Sequence, residues 1–122
     1  MVMKKEETAH AAGFVLSEAN FHRSRENITI ASGENLKAGA VLGKITSGGK
    51  YAHFDNDAGD GTETAAGVLI ADCDATSADA AAAIIARDAE VNGNELVWAS
   101  SEDAGDQDAG IVELTALGII VR

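Results

Sequence analysis

The residues whose types and spacing come closest to a chemical site are the carboxylates of an acidic loop near the middle of the chain. Asp55, Asp57 and Asp60 supply oxygen ligands of the kind with which a calcium-binding loop begins. An EF-hand loop needs oxygen ligands at its positions 1, 3 and 5, glycine at position 6 and glutamate at position 12. Counted from Asp55, position 5 is Gly59, position 6 is Asp60 and position 12 is an alanine. The pattern therefore predicts a solvated acidic turn, and we expect no metal site.

Histidine and cysteine, the other residues with catalytic or metal-binding chemistry, are scattered. His10, His22 and His53 have no cysteine or second histidine at the spacing of zinc ligands. Cys73 is the single cysteine, so it forms no intrachain disulfide, and we expect it to be a small buried thiol. A nucleophilic pair of Cys73 with His53 has no supporting motif, and the sequence contains no phosphate-binding glycine loop or nucleophile elbow. We therefore expect no catalytic residue, no cofactor and no enzymatic activity.

The charge distribution separates the beginning of the chain from the rest. The net charge is −11. Residues 1–25 hold four basic and three acidic residues and so carry +1, which leaves −12 for the remaining 97 residues. An acidic body lacks the cations that replace phosphate counterions, so we expect no nucleic-acid partner. No apolar run reaches the roughly 18 residues of a membrane-spanning helix and no signal peptide is recognised, so we expect no membrane partner and synthesis in a cytoplasm.

Short apolar runs indicate that the elements positioning these side chains are strands. Residues 28–31, 40–45 and 66–71 are rich in Val, Ile and Leu, and glycine-rich or acidic turns separate them. The Ser-Gly-Gly-Lys sequence of residues 47–50 predicts a hairpin turn, with residues 51–54 as the returning strand. The pattern predicts a mainly β fold: a compact β-sandwich or barrel-like single domain.

The C-terminal part is predicted to contain one short helix and a last strand. Residues 99–108 are small and acidic, and we expect them to form an exposed loop. Asp106 or Asp108 is the predicted cap of a short helix that runs through Leu117. Gly118 is the predicted helix stop, and the apolar residues after it are the predicted terminal strand, paired into the sheet.

The segment 76–91 supports two interpretations. Ser77 and the run of four alanines after Asp79 have the composition of a capped helix. Ile84 and the later Val91 also suit a strand that leaves a turn. Local propensity alone favours the helix slightly, and both interpretations stay open at this point.

Residues 1–25 have the character of an arm attached to a domain of residues 26–122. The arm mixes charges with hydroxyls and shows no clear period, so we expect it to be flexible and to become ordered only against a partner. An ordinary first strand of the domain is the alternative. We expect residues 14–16 to be its apolar anchors, so that replacing all three with serine leaves the melting temperature nearly unchanged. The residues predicted to make the contact are Phe14, Val15, Leu16, Ser17, Glu18, Asn20, Arg23 and Arg25.

Residues 33–45, GENLKAGAVLGKI, resemble part of a biotinyl or lipoyl carrier domain. In that family a small β domain presents a lysine on a hairpin, within Met-Lys-Met or Asp-Lys-Ala. Neither tripeptide occurs here, and Lys50 lies in a Gly-Lys-Tyr sequence. A small carrier or binding module, modified on Lys44 or Lys50, is therefore the alternative function.

A longer resemblance runs through most of the chain. Residues 14–20 with Arg-Ser-Arg at 23–25, then LKAGAVLGKI at 36–45, resemble the lambda-type bacteriophage head decoration proteins. The Gly-Val-Leu sequence at 67–69, the segment 92–98 and the terminal LGIIVR follow in the same order. Phe21 stands where the family pattern predicts a small residue, often glycine.

This resemblance implies a non-enzymatic β-tulip protein that acts as a structural cement. It implies homotrimers at local three-fold sites on the outer surface of the expanded phage capsid, which they stabilise against the pressure of packaged DNA. The partners would be a second copy of the chain and the major capsid protein, on which the N-terminal arm becomes ordered by strand pairing. It also implies that residues 80–91 form a strand, against the propensity, and we follow the resemblance there.

Overall fold

The computed structural model of the 122-residue chain describes residues 10–20 and 22–122. Phe21 and the first part of the predicted arm lie outside the described residues. A short 3-10 turn covers Gly93–Glu95. In chain order the elements are β1 (Val15–Glu18), β2 (Arg25–Ile30), β3 (Glu34–Leu36), β4 (Val41–Lys44), β5 (Tyr51–His53), β6 (Ala65–Leu69), β7 (Cys73–Ala75), β8 (Ala80–Ile85), β9 (Ala89–Val91), α1 (Ala104–Ala116) and β10 (Ile119–Val121).

Five strands close into a barrel in the order β2-β5-β4-β6-β8. β4 pairs antiparallel with β5 and β6, and β8 pairs antiparallel with β2 and β6. A single parallel bridge between Ile30 and Tyr51 closes the ring. Gly48 and Gly49 both have positive φ in the turn between β4 and β5, so the predicted hairpin is confirmed. The predicted mainly β, barrel-like domain with one short helix before the last strand is also confirmed.

A second sheet joins the beginning of the described chain to its end. Its strand order is β1-β9-β10, with β9 antiparallel to β1 and parallel to β10. The terminal strand is therefore paired into a sheet, as the sequence predicts. β3 and β7 form a separate antiparallel pair.

The helix favoured by propensity between residues 76 and 91 is wrong. The strand that the resemblance implies over residues 80–91 is confirmed in part, because two strands, β8 and β9, occupy this segment and belong to different sheets. β8 pairs with β2 over six residues, from Arg25 opposite Ile85 to Ile30 opposite Ala80. Ile84 and Ile85 at its end are both fully buried. The ladder hydrogen bonds and the burial of these two side chains outweigh the helix preference of the alanines, because propensity is a weak local term.

The helix α1 begins earlier than predicted. Its N-cap is Asp103 and not Asp106 or Asp108, and Asp106 instead occupies the third helical position of a capping box with Asp103. The helix ends at Ala116, and Gly118 follows with φ +85°, so the predicted glycine stop is confirmed. The predicted exposed loop of residues 99–108 is wrong in two respects, because its second half is helical and Glu102 is buried.

The largest core cluster lies between the barrel, the second sheet and α1. It contains Phe14, Phe54, Val91, Leu114 and Ile119 among its buried residues. Helix and barrel approach closely at one glycine of α1, where a Cβ on residue 110 would come within 2.7 Å of the Trp98 ring. Trp98 in turn packs edge-on against Phe54, with ring centroids 5.9 Å apart.

Phe14, an expected arm anchor, is only 2% exposed and belongs to this core cluster. Phe14→Ala should lower the free energy of unfolding by about 3 kcal/mol or more, because it removes a buried aromatic side chain. Leu16→Ala, at a side chain that is 54% exposed, should cost less than about 1 kcal/mol. Urea denaturation of both variants tests this difference. A Phe14→Ala variant as stable as Leu16→Ala would contradict the core position of Phe14.

Candidate functional site

The candidate binding element is the edge strand β1. It pairs with β9 through Val15 opposite Val91, Ser17 opposite Glu90 and Glu18 opposite Ala89. The register shifts between residues 15 and 17, so the pairing is irregular at Leu16. Among the described strands none pairs with the other edge of β1. An edge strand of this kind offers main-chain N–H and C=O groups to an added strand.

The end of β1 is held to the start of β2 by a side-chain clasp of Glu18, Ser24 and Arg25. Arg25 Nη2 donates to Glu18 Oε1 at 2.7 Å, and Arg25 Nε donates to Glu18 Oε2 at 3.0 Å. The hydroxyl of Ser24, which is fully buried, donates to the same Oε2 at 2.7 Å. The hydrogen bonds from Arg25 lower the pKa of Glu18, while its partial burial opposes this shift. The clasp therefore favours the charged carboxylate.

Main-chain contacts attach the connection between β1 and β2 to the turn between β8 and β9. The Ala19 N–H donates to the Asp88 carbonyl at 3.0 Å, and the Ala86 N–H donates to the Ser24 carbonyl at 2.7 Å. The Arg87 guanidinium donates to the Arg23 carbonyl at 2.8 Å. The described part of residues 10–25 thus lies on the body, and Val15–Glu18 is a strand of it. This is the alternative that the sequence left open beside the arm.

The structure separates the eight predicted contact residues into two groups. Phe14 lies in the core, Val15 packs against it, and Glu18 pairs with Arg25. The remaining four residues expose their side chains at the surface; they are Leu16, Ser17, Asn20 and Arg23. A partner can contact these four side chains without unfolding the body.

Two polar residues that the sequence interpretation missed support this surface. Ser24 completes the clasp from a fully buried position. Glu90 on β9 accepts a hydrogen bond from the Ser17 hydroxyl at 2.7 Å and pairs with Arg122, and these bonds lower its pKa. The opposite charges of Glu18 and Arg25, seven positions apart, were a visible signal for the clasp, whereas no local pattern connects Ser17 with Glu90.

The other candidate sites of the sequence show no converging chemistry. In the acidic loop, Asp55 and Asp60 accept hydrogen bonds from main-chain N–H groups two residues further on. Within residues 10–20 and 22–122 no three His, Cys, Asp or Glu side chains lie close enough together to hold a metal ion. His53 Nε2 lies 3.1 Å from a main-chain carbonyl oxygen, and burial raises the pKa of the Cys73 thiol. Lys50 forms an ion pair with Asp79.

No helix in the described part of the chain is both long and apolar enough to cross a membrane.

The described residues form a small β-barrel domain with an additional sheet, of which β1 is an edge strand. The family model of the bacteriophage lambda head decoration protein D matches residues 4–119. The chain therefore belongs to this family of phage head decoration proteins, which is a structural and not an enzyme family. Membership implies that the chain associates with the phage capsid in the virion. No curated protein sequence matches the chain significantly.

The clasp makes a pH-dependent contribution to stability. Glu18→Gln should lower the free energy of unfolding by about 1 kcal/mol at neutral pH, because it removes the charge that Arg25 pairs with. The folded-state pKa of Glu18 lies below the ordinary value of 4.5. The stabilisation is therefore present above pH 4.5 and is lost as the pH falls through the lowered pKa.

Urea denaturation of the natural protein and of Glu18→Gln, from neutral pH to below pH 4.5, measures the effect. The difference between their free energies of unfolding should shrink as the pH falls. Glu34→Gln is the matched control, because Glu34 forms no ion pair among the described residues. A difference that stays constant from neutral to acidic pH would show that the charge of Glu18 contributes nothing.

Proposed function

We propose that this chain is a structural cement protein that binds the expanded phage head as homotrimers at local three-fold sites. It lies on the outer surface of the capsid and stabilises the shell against the internal pressure of the packaged DNA. Residues 1–25 supply the docking contact, although β1 and Arg25 of β2 are part of the folded body, and residues 26–122 form the remainder of the decoration domain. The chain is made in the host cytoplasm, and it acts by binding alone, without catalysis, cofactor, nucleic acid or membrane.

The observation that carries this proposal is the open edge of β1 at the start of a chain that belongs to the decoration family. An added strand of the major capsid protein would use main-chain hydrogen bonds and so would need no special side-chain chemistry from either partner. Leu16, 54% exposed at the irregular position of β1, offers apolar surface to the same partner. Ser17, Asn20 and Arg23 are the neighbouring polar contacts.

The core position of Phe14 constrains how the arm docks. Because Phe14 is buried in the main cluster, a partner that pulled residues 14–18 away would leave a large cavity in the body. We therefore propose that β1 stays paired with β9 during docking. Leu16, Ser17 and Asn20, together with the chain that precedes β1, make the contact.

The charge distribution supports an orientation in which the arm faces the shell and the acidic body faces solvent. The arm is nearly neutral, whereas the remaining 97 residues carry −12. A neutral contact region avoids the cost of bringing like charges against the shell, while the acidic body keeps the decorated particle soluble.

Binding to one lattice state alone is sufficient to stabilise that state. A ligand L that binds only the expanded shell, with dissociation constant Kd, stabilises that shell by a free energy of RT ln(1 + [L]/Kd). Three linked copies that dock together add avidity, because the second and third contacts form at a high effective concentration. A trimer that bridges neighbouring capsid subunits thereby resists their separation.

Leu16→Ser should weaken binding to expanded shells about tenfold or more, because it removes the exposed apolar side chain of the docking edge. Co-sedimentation with expanded shells of the parent phage measures this. Val112→Ser is the matched control, since Val112 is 69% exposed on α1, away from β1 in the chain. Loss of binding by Val112→Ser with full binding by Leu16→Ser would place the contact on α1 and contradict the proposal.

Removing residues 1–9 tests the first part of the arm in a chain that keeps Phe14 and β1. The shortened chain should keep the thermal stability of the full chain and bind expanded shells more weakly. Thermal unfolding and co-sedimentation measure the two effects separately. Undiminished binding by the shortened chain would remove these residues from the docking arm.

A further inference from the structure

Glu102 is a buried acid that the docking surface does not use. It is 7% exposed and lies just before the N-cap of α1. Its Oε1 accepts the Asn56 N–H at 3.1 Å, while its Oε2 is buried and has no hydrogen-bond partner among residues 10–20 and 22–122. A buried carboxylate oxygen without a donor is costly, since it has lost its water and gained nothing in return.

A neighbouring acceptor for a proton on Glu102 is Asp106, which lies four residues further on in the first turn of α1. Asn56 joins the two carboxyl groups, because its main-chain N–H bonds Glu102 and its Nδ2 donates to Asp106 Oδ1 at 2.9 Å. Because both residues bond to Asn56, the carboxyl groups of Glu102 and Asp106 are neighbours. Asp106 Oδ2 accepts the Asp103 N–H in the capping box and stays an acceptor. A protonated Glu102 would therefore turn the unpartnered oxygen into a donor to Asp106.

We propose that Glu102 and Asp106 share a proton and form a latch that fastens the acidic loop, through Asn56, to the first turn of α1. Protonation of Glu102 closes the latch by forming the carboxyl–carboxylate hydrogen bond. Deprotonation opens it, because two neighbouring carboxylates repel each other in a partly dry site. The latch belongs to the free chain and does not depend on the shell.

The charged groups that shift the pKa of Glu102 are both acidic. Asp106 faces it from α1 and Asp55 from the acidic loop, and Asp103 lies beside it at the N-cap. None of the ion pairs of the described residues includes Glu102. Burial raises the pKa of Glu102, and both Asp106 and Asp55 raise it further, against the opposing effect of the Asn56 N–H. These groups favour the protonated acid.

A proton fits this site better than a divalent cation does. Two carboxyl groups meet at Asn56, and although Asp55 and Asp103 are nearby, no three acidic, histidine or cysteine side chains within the described ranges are arranged so that they could hold a metal ion. Calcium needs six or more oxygen ligands, most of which would have to be water here.

The contribution of Glu102 to stability depends on pH with the opposite sign to that of the Glu18 clasp. Because the folded-state pKa of Glu102 is raised above 4.5, its contribution to stability is complete below pH 4.5 and is lost as the pH rises through the raised value. Glu102→Gln keeps the shape and supplies a permanent donor, so it mimics the closed latch at every pH. The variant should match the natural protein at acidic pH and exceed its melting temperature at neutral and higher pH.

Thermal unfolding of Glu102→Gln from about pH 4 to about pH 8 tests the latch, with an expected gain of about 4 °C at the upper end. Asp108→Asn is the matched control, because it removes the same charge from an exposed position of α1. It should show no comparable gain. A Glu102→Gln variant that is no more stable than the natural protein at any pH would overturn the proposal.

Two measurements on the natural protein keep the test independent of how well the variant folds. The carbon-13 NMR shift of the Glu102 carboxyl should titrate with a midpoint above 4.5, and a midpoint at or below that value would overturn the proposal. Trp98, the single tryptophan, packs on α1 at Gly110 and should report the same transition by fluorescence. A melting temperature that rises with calcium in the natural protein and not in Glu102→Gln would assign the site to a cation instead.

Discussion

The pairing of β9 on both of its edges is the interaction on which the rest of the structure depends. This three-residue strand holds β1 on one side and β10 on the other, so the beginning and the end of the described chain meet in one sheet. Phe14, Val91 and Ile119 enter the main core cluster from these three segments. Without β9, both β1 and β10 would lose their strand partner in this sheet.

The same pairing produces the surface that is proposed to dock. Because β1 is the outer strand of the sheet, its other edge is open, and the irregular pairing near Leu16 leaves that side chain at the surface. A core residue and a proposed docking residue therefore lie two positions apart in the chain, since Phe14 is buried and Leu16 is exposed. The clasp of Glu18 with Arg25 limits how far this segment can move while the body stays folded.

Much of the fold follows from local sequence patterns, and the exceptions have physical reasons. The Gly48-Gly49 hairpin, the glycine stop after α1 and the terminal strand were predictable, because turn chemistry and apolar runs are local signals. The strand β8 was not predictable from propensity, since its alanines favour a helix and its paired residues in β2 lie 50 to 60 positions earlier. The resemblance to the decoration family supplied that element.

The candidate site was predictable only in part. Sequence reasoning found the segment that contains β1, and it placed Phe14 and Leu16 together although burial separates them. Burial also distinguishes Glu102 from the other acids of its segment, and composition cannot show it, because the residue is covered by packing between distant parts of the chain. Side-chain burial is set by the assembled fold, so these distinctions required the structure.

The most direct measurement of the central claim is a cryo-electron microscopy reconstruction of expanded shells of the parent phage incubated with the full chain. We expect trimeric density at the local three-fold sites, with the open edge of β1 against the major capsid protein and the acidic body facing outward. Unexpanded shells treated in the same way should stay bare. Density at other lattice positions, or trimers whose β1 edge faces solvent, would contradict the proposed docking.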